Sequence, residues 1–366
     1  MQEEINFPKL PPLFIIRATG GFRAFLKKLH NRIFPQQFVL MEYATSFWMS
    51  RAIGVAAELN IADLLIDGEK SIHFLAEKTE CKEETLYRLL RALASEGIFK
   101  ETKDHHFALT KVAEALRGDQ KSMKYFVLHH LSQDNWELFG ELKHCVKTGE
   151  NAIKKLHNCE PFEYLQSRPE NYKIFNQAMS EASEMAIVTF VKDYPFSKFK
   201  TIVDVGGGYG FLLCCILYLN KEIKGVVFDL PEALKDTEKT FKKFGVEGRA
   251  KTVEGSFFEK IPNEGDCYIL KNILHDWSDE DCMRILANIH SNMPKDAKLL
   301  VIETIINKDN KPSFGKTLDL QMLVGTTGGK ERTLDEYSTL FNLAGFNLNR
   351  VIPNSTPFSF IEGIKK

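Results

Sequence analysis

The sequence predicts an α/β fold, with a doubly wound parallel sheet in the C-terminal part and a helical N-terminal part. After residue 200, continuous apolar runs typical of buried parallel strands alternate with helical stretches. Before residue 200, the apolar spacing is helical apart from one short hairpin near residue 100. The length of 366 residues suggests two domains, which we expect at 1–115 and 116–366.

Composition argues against several classes of protein. The chain has 48 basic and 49 acidic residues, and its net charge of −1 does not indicate a general polyanion binder. Seven cysteines without a CxxC pair fit a reduced chain better than a disulfide framework or a structural zinc site. The first residues lack the order of a secretory signal, and the longest apolar run, at 211–219, is far shorter than the roughly 20 residues of a membrane span. We therefore expect a cytoplasmic protein with no membrane span.

The first forty residues combine a proline-marked tail with a basic segment. Phe22, Phe25, Leu26 and Leu29 recur there at helical spacing and predict an amphipathic helix. Such a helix can lie on a membrane surface. We favour the alternative that it packs on a partner subunit or on its own domain.

Residues 72–109 have the rhythm of a helix-turn-helix with a wing. Helices are expected at 72–78 and 82–96, followed by short strands at 98–102 and 106–109. A winged helix can read DNA. The second helix mixes acidic with basic side chains and lacks the basic surface that binds DNA phosphates. A structural or dimerising role is therefore favoured over DNA binding.

Residues 116–195 are predicted to form a helical annex to the second domain, with aromatic residues interleaved along it. By default, such an aromatic stripe belongs to a core. It can also form the wall of a pocket for a flat substrate.

Apolar runs and helical stretches alternate through the C-terminal part. The predicted strands are 200–206, 224–230, 266–272 and 298–304. The predicted helices are 211–221, 231–244, 279–292 and 333–343. Two closely spaced strands, FNLNRVIP and SFIEGIK, are expected at the C-terminus.

The motif DVGGGYG at 204–210 follows the first of these strands and precedes a helix. Glycines allow close approach of the backbone to a ligand, and the helix N-terminus offers free N–H groups. A dinucleotide fingerprint needs glycine at position 211, where this chain has Phe211, so an NAD-dependent oxidoreductase is disfavoured. Asp229 ends the next strand, where a carboxylate can accept hydrogen bonds from both ribose hydroxyls of a nucleoside.

The motif LKNILHDWSDEDC at 270–282 places a histidine just beyond the third predicted strand. His275 thus lies at the carboxyl end of the sheet, the edge where open α/β folds bind ligands. Glu303 ends the next strand and Glu331 lies in a further loop, so carboxylates accompany this histidine. The acidic run 279–281 is interpreted as the first turn of a helix, and no metal site is predicted.

The motifs DVGGGYG, VVFDLPE, GSFF, LKNILHDWSDE, VIET and GGKERT follow one another in this order. In these motifs the chain resembles the S-adenosylmethionine-dependent small-molecule O-methyltransferases of the caffeate and hydroxyindole type, which include bacterial natural-product enzymes. The resemblance covers roughly residues 45–360. It implies a Rossmann-like seven-stranded sheet with an antiparallel last strand, an N-terminal winged-helix dimerisation domain and a homodimer.

The resemblance also implies a role for individual residues. S-adenosylmethionine is the implied cofactor, in contact with Gly206, Gly208, Asp229, Leu230, Ser256, Phe257, Lys271, Phe162 and Ser183. The implied general base is His275, oriented by Glu303 and Glu331. The implied acceptor pocket is lined by Phe175, Met179, Trp277 and Met322.

Two positions depart from the family pattern. The residue beside the adenine is usually Asp, whereas this chain has Ser256. A hydroxyl can still accept a hydrogen bond from the exocyclic amine, so weaker cofactor binding is expected, and not loss of function. Plant members place Asn five residues before the glutamate of GGKERT, where this chain has Thr326, so a plant phenylpropanoid acceptor is not supported.

The resemblance implies methyl transfer to a hydroxyl of a small aromatic molecule, without a metal and without nucleic acid. The joint presence of His275, Glu303 and Glu331 favours methylation over a relative that binds the cofactor but hydroxylates or rearranges its substrate. A second alternative is a winged-helix regulator that senses a small ligand. Methylation of nitrogen or sulfur also stays open.

Overall fold

The computed structural model describes residues 13–119, 122–354 and 356–366, so the proline-marked tail lies outside the described residues. Two units share the chain, and their segments alternate along it. The first unit comprises, in its described part, 13–21, 141–161 and 183–366. The second unit comprises the described residues of 22–140 and 162–182. The expected domain boundary near residue 115 stays a prediction.

Helices make up most of the N-terminal part of the chain. They are α1 (Leu13–Ile33), α2 (Gln36–Glu58), α3 (Ile61–Leu64), α4 (Ile72–Lys78), α5 (Glu83–Ser95), α6 (Lys124–His130), α7 (Gln133–Gly140), α8 (Leu142–Thr148), α9 (Ala152–His157), α10 (Pro161–Gln166) and α11 (Pro169–Phe190). The amphipathic helix predicted near the N-terminus is present as α1. Within the described residues, none of the helices combines the length and the apolar character that a bilayer span requires.

The C-terminal part alternates helices with strands, as the sequence predicts. Its helices are α12 (Phe211–Leu219), α13 (Pro231–Leu234), α14 (Thr237–Phe244), α15 (Asp279–Asn292), α16 (Phe314–Gly325) and α17 (Leu334–Leu343). The strands of the whole described chain are β1 (Lys70–Ser71), β2 (Phe99–Glu101), β3 (His106–Leu109), β4 (Thr201–Val205), β5 (Lys224–Asp229), β6 (Ala250–Glu254), β7 (Cys267–Lys271), β8 (Lys298–Thr304), β9 (Phe346–Pro353) and β10 (Phe358–Lys365).

The two helices and the hairpin predicted within 72–109 are present in the second unit. Ser71 accepts a hydrogen bond from the Phe74 backbone N–H at 3.2 Å and so caps α4. The apolar stripe of α5, formed by Leu86, Leu90 and Leu93, is buried. Strands β2 and β3 form the predicted antiparallel hairpin, to which the two-residue strand β1 adds a third strand.

A seven-stranded sheet with the order β6-β5-β4-β7-β8-β10-β9 organises the first unit. The strands β4 to β8 pair in parallel, and β10 lies antiparallel between β8 and β9. The predicted Rossmann-like sheet with an antiparallel last strand is therefore confirmed. Strand β6 escaped prediction because it lies at the edge and carries the exposed charges of Lys251 and Glu254.

Two apolar clusters cover the two faces of this sheet. One contains Ile202 and Val227, and the other contains Val203 and Val226, so neighbouring residues of a strand point to opposite faces. Burial on both faces explains the continuous apolar runs, since the interior positions of the central strands do not reach solvent. The carboxyl ends of β4, β5, β7 and β8 consequently meet at one polar edge.

Candidate active site

The glycine loop leaves this edge directly after β4. Gly206 has a φ of +72°, and a Cβ built there would lie 2.4 Å from Cδ1 of Ile273, so a side chain does not fit. Gly208 has a φ of +54° and open space on its Cα, which lets a ligand approach the backbone closely. The N–H groups of Gly206 and Gly210 donate to the carbonyls of Phe228 and Gly207, at 2.8 and 2.9 Å, so the loop offers a ligand the open space at Gly208 and not a row of free donors.

Asp229 ends β5 beside this loop. Its Oδ2 accepts a hydrogen bond from the Gly208 N–H at 2.8 Å, and its Oδ1 accepts one from the Leu230 N–H at 2.7 Å. Burial raises the pKa of this carboxyl, while the two backbone donors oppose the rise. Each oxygen keeps a further lone pair, so the carboxylate can still accept hydrogen bonds from two ribose hydroxyls.

The loop after β6 carries Ser256 and Phe257, two of the predicted cofactor-binding residues. The Ser256 hydroxyl oxygen accepts a hydrogen bond from the Phe258 N–H at 3.2 Å. The ring of Phe257 lies 5.8 Å from the ring of Trp277, edge to face, so the predicted cofactor residue and the predicted acceptor residue are neighbours. Gly206 is close as well, because a Cβ on it would lie 3.8 Å from the Phe257 ring.

Lys271, at the end of β7, reaches toward α11. Its Nζ donates a hydrogen bond to Oγ of Ser183 at 3.0 Å, which joins two of the predicted cofactor residues. Burial lowers the pKa of Lys271 to about 8, although Glu303 and Asp204 counteract this effect. Burial also raises the pKa of Asp204 to about 7, and its Oδ2 has no hydrogen-bond partner within the described part of the chain.

The predicted base and both predicted carboxylates come together. The distance from Nδ1 of His275 to Oε1 of Glu331 is 2.9 Å, and the distance to Oε2 of Glu303 is 3.7 Å. Oε1 of Glu303 accepts hydrogen bonds from the N–H groups of Ile273 and Leu274 at 3.0 and 2.9 Å. Glu303 thereby fixes the turn that carries the histidine, and Glu331 orients the ring.

Electrostatics favour the protonated form of this histidine. Burial lowers the pKa of His275, but the charges of Glu303, Asp276 and Glu331 outweigh burial, so the pKa is raised to about 10. Burial raises the pKa of Glu303 to about 7, against the opposing charge of His275. The cluster therefore stabilises an imidazolium, which is the state that a base reaches when it takes up a proton.

Arg332 is a residue of this site that the sequence analysis missed. Its side chain is wholly buried and donates hydrogen bonds to the carbonyls of Leu274 at 2.7 Å and Trp277 at 2.9 Å. It also donates to Oδ1 of Asp279 at 2.8 Å. Arginine is rarely buried, so only its place directly after Glu331 in GGKERT could have pointed to it.

Two other residues that position the cluster were also missed. Oδ1 of Asp319 accepts a hydrogen bond from the Glu331 N–H at 2.8 Å. Asn272 has a φ of +52°, in the left-handed region that asparagine tolerates better than most residues, and it turns the chain from β7 toward His275.

The remaining predicted residues lie elsewhere in the fold. Met322 is buried on α16 of the first unit. Phe162, on α10, and Phe175 and Met179, on α11, belong to the second unit. Their cofactor and acceptor roles stay predictions.

His275, Glu303 and Glu331 are also close enough together to hold a metal ion. One ligand atom from each lies within 4.8 Å of the other two, and this set alone meets that criterion among the described residues. The separation of 2.9 Å between Nδ1 and Oε1 of Glu331 is a normal hydrogen-bond length. The absence of a catalytic metal stays a prediction.

Two protein families match the chain. Residues 41–119 match the O-methyltransferase dimerisation domain. Residues 139–347, more than half of the chain, match the O-methyltransferase domain. The helix α1 precedes both matches.

Several known proteins are similar over most of their length. The phenazine O-methyltransferase of Lysobacter antibioticus is 40% identical over 329 residues, which cover 90% of this chain and 96% of that protein. The O-demethylpuromycin-O-methyltransferase of Streptomyces alboniger is 35% identical over 343 residues, which cover 91% and 90%. The structure of human N-acetylserotonin methyltransferase in complex with S-adenosylmethionine has a TM-score of 0.83 at 26% identity, with 91% of this chain and 98% of that chain covered. The chain therefore belongs to the O-methyltransferase family and is an S-adenosylmethionine-dependent O-methyltransferase.

Proposed function

We propose that this enzyme methylates a hydroxyl group of a small aromatic molecule and that His275 is the general base. The observation that carries the proposal is the position of His275 at the carboxyl edge of the sheet, where its Nδ1 lies 2.9 Å from Oε1 of Glu331 and 3.7 Å from Oε2 of Glu303. The relatives that methylate a phenazine and O-demethylpuromycin support an acceptor of this kind.

The role of the carboxylates follows from the acidity of the acceptor. A phenol has a pKa of about 10 and an ordinary histidine about 6.5, so full proton transfer between them costs about 4.8 kcal/mol. The pKa of His275 is raised to about 10, which removes most of this difference. His275 can therefore hold the proton of the acceptor while the oxygen becomes nucleophilic.

The cofactor supplies an electrophilic methyl group on its sulfonium. Asp229 would bind the ribose, the loop at Gly206 and Gly208 would hold the methionine part, and Lys271 with Ser183 would contact it from the sheet edge. Ser256 and Phe257 would flank the adenine, with Leu230 beside it. These residues fix the position of the methyl group, and correct alignment alone contributes a large share of the rate.

The proposal also covers the residues that line the acceptor pocket and the oligomeric state of the enzyme. Phe175, Met179, Trp277 and Met322 would line the acceptor, and Phe162 would contact the cofactor. The match to a dimerisation domain at 41–119 supports a homodimer.

The test is mass spectrometry after incubation with trideuteromethyl S-adenosylmethionine and a panel of phenols, hydroxyindoles and phenazinols. We expect a mass increase of one deuterated methyl group on at least one hydroxyl. The variant His275→Gln should lose about 100- to 10,000-fold in kcat, as removal of a general base does. Its affinity for S-adenosylhomocysteine, measured by calorimetry, should stay unchanged.

Near-normal turnover of His275→Gln would contradict the role of the base. A product that gains oxygen but no methyl group would instead place the enzyme among relatives with non-methylating chemistry. Transfer to nitrogen in preference to oxygen would contradict the proposed acceptor.

A further inference from the structure

The loop 255–258 leaves the sheet next to the residue proposed to bind the ribose. Strand β6 pairs in parallel with β5, and Asp229 lies opposite Glu254 in this pairing. The Gly255 N–H then donates a hydrogen bond to the Asp229 carbonyl at 3.0 Å. A nucleoside whose ribose hydroxyls bind the Asp229 carboxylate would therefore have this loop beside it to receive the nucleobase.

The loop offers the base two flat rings and one polar side chain. Phe257 and Phe258 are half-buried, with ring centroids 5.0 Å apart, and Ser256 carries the polar group of the segment. The Phe257 carbonyl already accepts a hydrogen bond from Nδ2 of Asn288 at 2.8 Å. Polar recognition of the base by a side chain of this loop thus depends on the Ser256 hydroxyl.

The Ser256 hydroxyl can still both donate a hydrogen bond to a ligand and accept one from it. Its oxygen accepts one bond, from the Phe258 N–H at 3.2 Å. A second lone pair can accept from a 6-amino group, and the O–H can donate to a 6-oxo group. An ionised carboxylate at this position could only accept, and would be repelled by a 6-oxo group.

We propose that Ser256 lets the cofactor site accept a 6-oxopurine as well as adenine, so that hypoxanthine analogues of the cofactor bind about as tightly as the adenine compounds. The proposal rests on the cofactor placement given under the proposed function. It concerns binding of the nucleoside only and is independent of the acceptor and of methyl transfer.

The test compares the affinities of S-adenosylhomocysteine and S-inosylhomocysteine by calorimetry. For the unaltered protein, we expect the two dissociation constants to agree within about threefold. For Ser256→Asp, the inosyl compound should bind at least tenfold more weakly than the adenosyl compound, because two acceptors then face each other. The aspartate can keep the turn, since its carboxylate can also accept the hydrogen bond from the Phe258 N–H.

Ser256→Ala is the matched control, because alanine neither donates nor accepts. It should weaken both compounds by a similar factor. Unchanged constants in Ser256→Ala, a preference above tenfold in the unaltered protein, or an unchanged ratio in a folded Ser256→Asp would each overturn the proposal.

Failure of the cofactor placement gives a different result from failure of this inference. If Asp229→Asn leaves the affinity for S-adenosylhomocysteine unchanged, Asp229 does not bind the cofactor ribose. The inference about Ser256 is then wrong as well. If Asp229→Asn loses affinity but Ser256→Asp does not discriminate, only the inference is wrong.

Discussion

At the scale of single residues, the two glutamates beside His275 make different contacts. Glu303 uses one oxygen to hold the turn through two backbone N–H groups, and its other oxygen faces the imidazole. Glu331 contacts Nδ1 directly. The sequence predicted all three residues, because each lies at a strand end or in a motif. It did not predict Arg332, because no pattern distinguishes a buried arginine from an exposed one.

The first prediction concerns the dependence of activity on pH. Because the pKa of His275 is raised to about 10, the free base is scarce at neutral pH, and kcat/KM should rise with pH from 7 toward 10. Glu303→Gln removes a negative charge beside the imidazole, so the rise should shift to lower pH by at least about one unit. Kinetics with two phenols of different acidity would measure this shift.

Glu280→Gln is the control for this shift, since Glu280 is exposed on α15. Glu280→Gln should leave the pH dependence of kcat/KM unchanged. If Glu303→Gln moves the profile to higher pH, the carboxylate does not raise the pKa of the base. If the shift appears with only one phenol, it reports the acceptor and not His275.

A second prediction tests the buried guanidinium. Arg332→Met leaves the carbonyls of Leu274 and Trp277 and the carboxylate of Asp279 without this donor, so the free energy of unfolding should fall by about 3–5 kcal/mol. Denaturant titration measures the loss. Because the same turn carries His275, kcat should fall as well.

Lys330→Met is the matched control, since Nζ of Lys330 pairs with the same Asp279 at 2.7 Å from a half-exposed position. Exposed pairs contribute little, so a loss below about 1 kcal/mol is expected. Equal losses in both variants would show that the carbonyl contacts of Arg332 do not hold the turn.

At the scale of elements, the turns after β4 and β7 pack against each other. The missing side chain of Gly206 makes room for Ile273, which lies two residues before His275. The strands and the glycine turn were predictable because a buried parallel strand followed by glycines has a strong pattern. Strands β1 and β6 were not, since one has two residues and the other is a polar edge strand whose pairing depends on distant residues.

A third prediction follows from this packing. Gly206→Ala places a Cβ 2.4 Å from Cδ1 of Ile273 and forces a φ of +72° on a residue with a side chain. The backbone strain costs roughly 1–2 kcal/mol. The affinity for S-adenosylhomocysteine should fall at least tenfold, as measured by calorimetry.

Gly97→Ala separates strain from site geometry, because Gly97 has a φ of +73° but open space around it. This variant should lose only the roughly 1–2 kcal/mol of backbone strain and keep its cofactor affinity. An equal loss of affinity in both variants would mean that general destabilisation, and not the glycine loop, governs cofactor binding.

At the scale of the whole molecule, the N-terminal helices expose much apolar surface. Side chains along α1 and α2 are exposed although they are large and hydrophobic: Phe22, Phe25, Leu26, Ile33, Phe38, Met41, Phe47 and Trp48. So many large apolar side chains exposed on neighbouring stretches of the chain are typical of an interaction surface. The sequence predicted the helix and its apolar spacing. It could not show that this face stays uncovered within one chain, because burial depends on tertiary packing.

The fourth prediction assigns this surface to the homodimer. Trp48 is 64% exposed on α2, within the dimerisation match. Trp48→Glu should weaken self-association by at least about thirtyfold, as loss of a central interface tryptophan does. Light scattering after size exclusion should find the unaltered protein at twice the mass of the chain and the variant at the single mass.

Leu343→Glu makes a similar change at a residue of the same 64% exposure on α17. It should leave the dimer intact. A monomeric unaltered protein, or dissociation by both variants, would contradict the assignment.

The proposed base and its two carboxylates come from the first unit: His275 from the segment after β7, Glu303 from β8 and Glu331 from the loop before α17. The helices α10 and α11 contribute none of them. Mutations can therefore accumulate in 162–182 during evolution without altering His275, Glu303 or Glu331. In a duplicated copy of this gene, mutation of that segment would leave His275, Glu303 and Glu331 in place.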